Sequence, residues 1–313
     1  MTEKQRTSLQ PKKMCEIWAV GGGKGGTGKS FISSSIAIHL AQSEKKVTLI
    51  DLDIGGANLH SFLGINQPKK SLTDFFEKKI PLDKLKVKSG TKNLSFIAGD
   101  INSLASDSIR FSQKIKLFKH IKKLDSDLVI IDVGAGSRNI FIDTFLIADK
   151  KIAILSPDSL AVENLSHFIK NALFRKLMST LQPYGFKEFV QLIWKNKENY
   201  RIKSLWEMIA WLKQNFPFIQ EILEDELSNF RIYFLLNQVK NRQEIALGSF
   251  IKNGFMRFLD LDTRYLGFVE YDENVGESLK KEESFMQVFP SSSTAQEIST
   301  CVQNLIQGKE HKV

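Results

Sequence analysis

Cysteine, proline and long apolar runs are all scarce in this chain. Only two cysteines occur among 313 residues, Cys15 and Cys301, near opposite ends. Neither a disulfide framework nor a C-x-x-C metal pair can be drawn from them, and a reducing cytoplasm is the compartment such usage fits. With 7 Pro and 19 Gly there is no fibrous or low-complexity composition, while 42% apolar residues suffice for a complete core. No run reaches the ~20 apolar residues of a membrane-spanning helix. Residues 1–14 carry Lys4, Arg6, Lys12 and Lys13 but no apolar stretch, so they read as a flexible basic arm and not a secretory signal. Acid is also in deficit. The 35 Asp and Glu against 44 Lys and Arg leave a charge of +9, which favours anionic partners such as nucleotides, nucleic acid or acidic lipid without choosing among them.

What is present is alternation. Short apolar runs at 16–20, 47–50, 94–98, 128–132, 152–155, 231–236 and 265–269 are separated by stretches of helical period. That pattern predicts an α/β fold, a doubly wound and mainly parallel sheet forming one domain over 15–313. A helix is expected over 31–41, with Ile32, Ile36, Ile38 and Leu40 for burial. Another is expected over 109–124, with Ile115, Phe118, Ile121 and Leu124 inward and its lysines on a solvated face. Between 171 and 229 no strand is evident. This stretch holds Phe174, Phe186, Phe189, Trp194, Trp206, Trp211, Phe216 and Phe218, and it is far too long for a βα connection. It reads as a helical insertion, interrupted at Pro183 and Pro217. Trp206, Ile209, Trp211 and Leu212 are its candidate anchors for a partner.

The strongest motif is Gly23-Lys24-Gly25-Gly26-Thr27-Gly28-Lys29-Ser30, which satisfies G-x-x-x-x-G-K-[ST] between an expected strand and helix. Glycines let backbone N–H groups turn toward phosphate oxygens, and the following helix adds its positive end. Lys29 is expected at the β and γ phosphates and the Ser30 hydroxyl on Mg²⁺. Asp51 and Asp53 stand at the carboxyl end of the second strand, where open α/β sheets collect ligands. Asp132 ends a buried apolar strand, the form expected of an acid that holds Mg²⁺ through its water shell.

Lys24 within this loop makes the chain resemble the MinD/ParA group of P-loop ATPases, whose deviant Walker A lysine reaches the nucleotide of a partner subunit. The resemblance implies ATP and Mg²⁺ as cofactors, an ATP-dependent homodimer, and ATP hydrolysis with Lys24, Lys29 and Asp53 as the catalytic set. Asp53 would orient the attacking water, Asp51 would help order the metal shell and Asn58 would match a switch asparagine. Gly25, Gly26, Thr27, Gly28, Lys29 and Ser30 would hold the phosphates. Residues 134–136 would form the second switch loop, and Asn237 would meet the adenine edge, with 269–272 nearby. Glu270 stands where the group usually has proline.

Within the group, Asp53-Ile54-Gly55-Gly56-Ala57-Asn58-Leu59-His60 most resembles the FlhG/FleN-like branch associated with flagellar placement and number. The absence of a C-terminal C-x-x-C separates the chain from iron-sulfur carriers of the Mrp type. Two uses of the same switch follow from the resemblance. One is a MinD/FlhG-like regulator, cytoplasmic or peripheral at the inner membrane face, that positions a cellular structure or partner through the 171–229 insertion. The other is a ParA-like partition ATPase that binds DNA non-specifically. The charge supports either surface.

Overall fold

The computed structural model describes residues 14–53, 56–99, 109–259 and 261–311. The basic arm, apart from Met14, and Ile54 and Gly55 of the first acidic stretch lie outside the described residues. The chain runs β1 (Glu16–Gly21), α1 (Lys29–Gln42), β2 (Val47–Asp51), α2 (Leu72–Phe76), β3 (Val87–Lys88), β4 (Leu94–Ile97), α3 (Phe111–Ile121) and β5 (Leu128–Asp132). It continues with α4 (Asn139–Ile147), β6 (Lys150–Leu155), α5 (Ser159–Leu181), α6 (Lys187–Lys195), α7 (Leu205–Asn215) and α8 (Pro217–Ser228). It closes with β7 (Ile232–Val239), α9 (Arg242–Leu259), β8 (Thr263–Glu270), α10 (Glu273–Lys280), α11 (Phe285–Val288) and α12 (Ser293–Gln307).

Among the described residues eight strands form one sheet in the order β3-β4-β2-β5-β1-β6-β7-β8, parallel except where β3 pairs antiparallel with β4. The central strands are apolar without alternation because helices cover both faces. Successive side chains of β1 enter opposite layers: Ile17 and Ala19 join one core, Trp18 and Val20 the other. The first layer is built by α2 to α9, the second by α1, α11 and α12.

Three sequence-based expectations need correction. Phe118, Ile121 and Leu124 are buried as expected, but Leu117 of α3 turns inward in place of the exposed Ile115, and Lys114 is buried beside Asp143. Position 171 is not a boundary, because α5 passes through it unbroken, with Leu165, Ile169, Ala172 and Leu173 on one buried face. The helices between α5 and β7 are therefore α6, α7 and α8. Finally, Ile209 and Leu212 are fully packed, in the same core as Val190, Ile193, Ile219 and Leu223, so neither is available as a partner anchor. Phe186, Phe189, Trp211, Phe216 and Phe218 pack together at ring separations of 5.2 to 6.4 Å, which accounts for much of the aromatic load. Pro217 opens α8 at its first position, where a missing N–H costs nothing.

Candidate functional site

β5 lies between β2 and β1, and its register sets Asp51 beside Asp132 and Val20 beside Asp132. The carboxyl ends of these three strands thus bring both acids next to the loop that leaves β1. That loop closes at Gly28, which caps α1 with φ +83°. A Cβ there would sit 2.1 Å from the Asn237 amide nitrogen, so both conformation and space require glycine. The first N–H groups of α1 have no partner within the helix and face the loop's concavity.

Lys29 is buried, and its Nζ donates to the Lys24 carbonyl oxygen at 2.9 Å. Burial lowers its pKa, while Asp132 and Asp53 pull it back up. Lys24 points elsewhere: its Nζ pairs at 2.9 Å with Asp158, the residue that caps α5 by accepting from the Ala161 amide. The two loop lysines therefore face different surroundings, one inside and one at the rim. Asp158 is a contact that the motif does not announce. A capping signal before α5 was readable, but its meeting with Lys24 joins residues 134 positions apart.

Asp51 and Asp132 are both buried. Desolvation, with repulsion from Asp132, pushes the Asp51 carboxyl up to about 8 against hydrogen bonds from the Asp53 and Leu59 amides. Desolvation likewise pushes Asp132 up to about 7, opposed by Ser30 and Ser33 of α1 and by Lys29. Asp132 Oδ1 is buried without a hydrogen-bond partner in the structure. Two adjoining carboxylates, one with an unmatched oxygen, beside a serine hydroxyl form an all-oxygen set suited to a hard divalent cation such as Mg²⁺. The residues present fit that ion. Asp53 sits half-buried at the end of β2, raised by desolvation and lowered by Lys29 and Arg138.

Thr27 is buried, with its hydroxyl oxygen unmatched as well, whereas Gly25 and Gly26 are exposed at the loop's tip. Asn237 and Gln238 at the end of β7 hold this loop from the side, donating to the Thr27 and Gly26 carbonyl oxygens at 2.9 and 3.1 Å. Asn237, expected at the adenine edge, thus uses its amide nitrogen within the chain. Asn58 is exposed and opens the short 3-10 turn Leu59–Leu63 without a side-chain cap. Beyond the rim, a groove of about 910 Å³ runs past Asp158 between Val162, Trp206, Leu247 and Phe250.

A ParA family model, described as an NUBPL iron-transfer P-loop NTPase, matches residues 13–180. The two cysteines of this chain are buried in opposite layers of the core, Cys15 in one and Cys301 in the other. The septum site-determining protein MinD of Helicobacter pylori is 34% identical over 147 residues, 46% of this chain and 54% of that protein, so the match spans about half of the relative. The antiactivator FleN of Pseudomonas aeruginosa is 25% identical over 295 residues, 93% of this chain and 85% of FleN. Among solved structures, MinD of Pyrococcus horikoshii complexed with Mg-ADP covers 96% of this chain and 100% of its own at 17% identity, with a TM-score of 0.61. MinD in the MinC:MinD complex of Aquifex aeolicus gives 18% identity, 96% and 98% coverage and the same TM-score. These structures share the fold. Loop, acids, topology and family match agree: the chain belongs to the ParA/MinD family of P-loop NTPases.

Proposed function

We propose that this chain is an ATP-hydrolysing switch that pairs with a second copy when ATP and Mg²⁺ are bound, and in that state positions a cellular structure. The observation that carries the reading is the division between the two loop lysines. Lys29 is buried against its own loop and acids, which suits a cation serving the chain's own phosphates. Lys24 lies at the rim in a one-third-exposed ion pair, which a second subunit carrying a nucleotide can draw away.

In this reading Ser30, Asp51 and Asp132 hold Mg²⁺, which supplies charge neutralisation to the phosphates. Asp53, kept basic enough by partial burial to accept a proton, orients water. The water oxygen bonds to the γ-phosphorus, the bond to the β–γ bridging oxygen breaks with its electron pair leaving on ADP, and the water proton passes to Asp53 or a phosphate oxygen. Lys24 from the partner and Lys29 from the same chain offset the developing charge.

The likeness to proteins named for septum site determination and for antiactivation supports a positioning role, with flagellar placement or number as the process its FlhG/FleN-like stretch suggests. Support for a partner surface on the insertion comes from the groove wall at Trp206, close to the Lys24–Asp158 pair, and not from Ile209 or Leu212.

The test is molar mass by light scattering of an Asp53→Ala protein, which should trap ATP. Mass should double with ATP alone. Equal mass with ATP, ADP and no nucleotide would sink the switch. Lys24→Ala should bind ATP nearly as the parent does yet remain monomeric and inactive.

A further inference from the structure

The residue that leads from the 134–136 loop into α4 is a cation that no motif requires. Arg138 caps α4, but its side chain makes no capping hydrogen bond, and α4 has no acid in its first turn. A helix N-terminus favours serine, threonine or a carboxylate and disfavours positive charge. The other arginine in such a position, Arg110 at the start of α3, has its amide satisfied by the Gln113 side chain. Nothing comparable closes α4. Residues that break a local rule are concentrated at functional sites.

The placement of Arg138 is specific. Its guanidinium lies over the Phe141 ring, 5.9 Å from the centroid. Phe141 in turn meets Asp53 across Gly134. A Cβ on Gly134 would fall 2.5 Å from Phe141 Cζ and 2.6 Å from Asp53 Oδ1. Arg138 thus stands on the Asp53 side of the loop, exposed and, among the described residues, in no ion pair with a carboxylate. Burial raises the Asp53 carboxyl, and the positive charge of Arg138, after that of Lys29, opposes that rise. The helix beneath it is fixed. Asp143 of α4 is gripped by Lys114 of α3 and Arg175 of α5, and Arg175 also holds the Asn139 side chain at 3.1 Å, in the residue next to Arg138. What is left to rearrange is the Arg138 side chain, beside a loop in which Gly136 adopts φ +94°.

We infer that Arg138 is a catalytic cation supplied by the same chain, which leaves the Phe141 face and meets the γ-phosphate oxygens during hydrolysis. It adds to Lys24 and Lys29 a third positive group on the side from which water attacks. The bonds made and broken are those given above. Arg138 transfers no proton; it offsets charge on the transferring group, as an arginine finger does. The inference rests on the ATPase reading.

The experiment compares the parent, Arg138→Ala and Arg138→Lys as full chains. It reads the single-turnover rate of ATP hydrolysis, the affinity for a non-hydrolysable ATP analogue, and the affinity for ADP with fluoroaluminate, which mimics the transferring phosphoryl group. Arg138→Ala should slow hydrolysis about 100-fold and weaken the fluoroaluminate complex, with analogue affinity within about threefold of the parent. Arg138→Lys should fall between. A rate within about threefold of the parent, or an analogue affinity that falls in step with the rate, overturns the inference. Failure of the ATPase reading is distinguishable: there the parent itself does not turn over ATP.

Discussion

Asp51, Asp132 and Lys29 are ionisable groups buried within one loop's reach, whereas α6, α7 and α8 bury Val190, Ile193, Ile209, Leu212, Ile219 and Leu223 and leave their charges in water. Both regions are dense, but their densities mean different things. Apolar groups lower the free energy of the fold as they are buried. Uncompensated carboxylates raise it, and a fold retains them where a ligand's charge will later meet them. The loop region is thus suited to be stabilised by a bound ligand, and α6 to α8 by their own packing.

Four substitutions sharpen or break that contrast, beginning with the largest effect. Lys29→Ala should reduce ATP affinity by more than about 100-fold, since a charge-assisted contact in a dry site is lost along with the cation that offsets two acids. Titration with a fluorescent ATP analogue reads it, and near-parental affinity would mean the loop does not bind phosphate as built. In the insertion, Leu212→Ala should cost about 2 to 5 kcal/mol in chemical denaturation, through lost burial and an unfilled cavity, with ATP affinity of the folded protein unchanged. A loss below about 1 kcal/mol would show that the helices there are loosely packed.

The third concerns pH. Asp51 stands at about 8 in the fold against an ordinary value near 4, so between these limits the folded chain holds a proton that the unfolded chain has released. Its stabilising contribution is complete below about pH 4 and is lost as pH rises through about 8. The nucleotide-free protein should therefore melt at lower temperature as pH rises from about 5 to about 8.5, and Asp51→Asn should flatten that fall, by roughly 2 to 4 °C for each kcal/mol removed. Parallel curves in both proteins would refute the assignment. The smallest effect is expected from Leu192→Ala. Leu192 is 53% exposed on α6, and its truncation should change stability by less than about 0.5 kcal/mol.

Much of the loop region was legible in the sequence because its signals are local. Apolar runs ending in Asp51 and Asp132, and a glycine loop ending in Lys29-Ser30, each declare a strand end or helix start within a few residues. Parallel order then brings them together, since strands covered on both faces admit few arrangements. What stayed hidden depends on contact across the chain. Asp158 meets Lys24, Gln238 meets Gly26, and Arg138 meets Phe141 near Asp53 through tertiary placement that no spacing rule encodes. The insertion misled in another way. Its aromatic residues suggested an outward surface, but rings at helical spacing serve equally to fill the space between helices, and most of them do so here. The two-residue strand β3 carries too few residues for a period to show, and in α3 the choice between Ile115 and Leu117 turned on a helix phase that lysine stems obscure.

The grip of Asn237 and Gln238 on the loop has a consequence for how the molecule can change. Gln238 adopts φ +64°, a left-handed backbone that costs free energy for a residue with a side chain, and it does so where its amide clasps the Gly26 carbonyl. Strand β7 and the glycine loop are thereby joined like two jaws of a clamp whose hinge lies in the sheet. A displacement of β7, or of α9 packed upon it, would pull on the Thr27 and Gly26 carbonyl oxygens through these two hydrogen bonds. Sequence drift in one jaw is therefore constrained by the other, and the two should be grafted together or not at all when this site is transplanted to another scaffold.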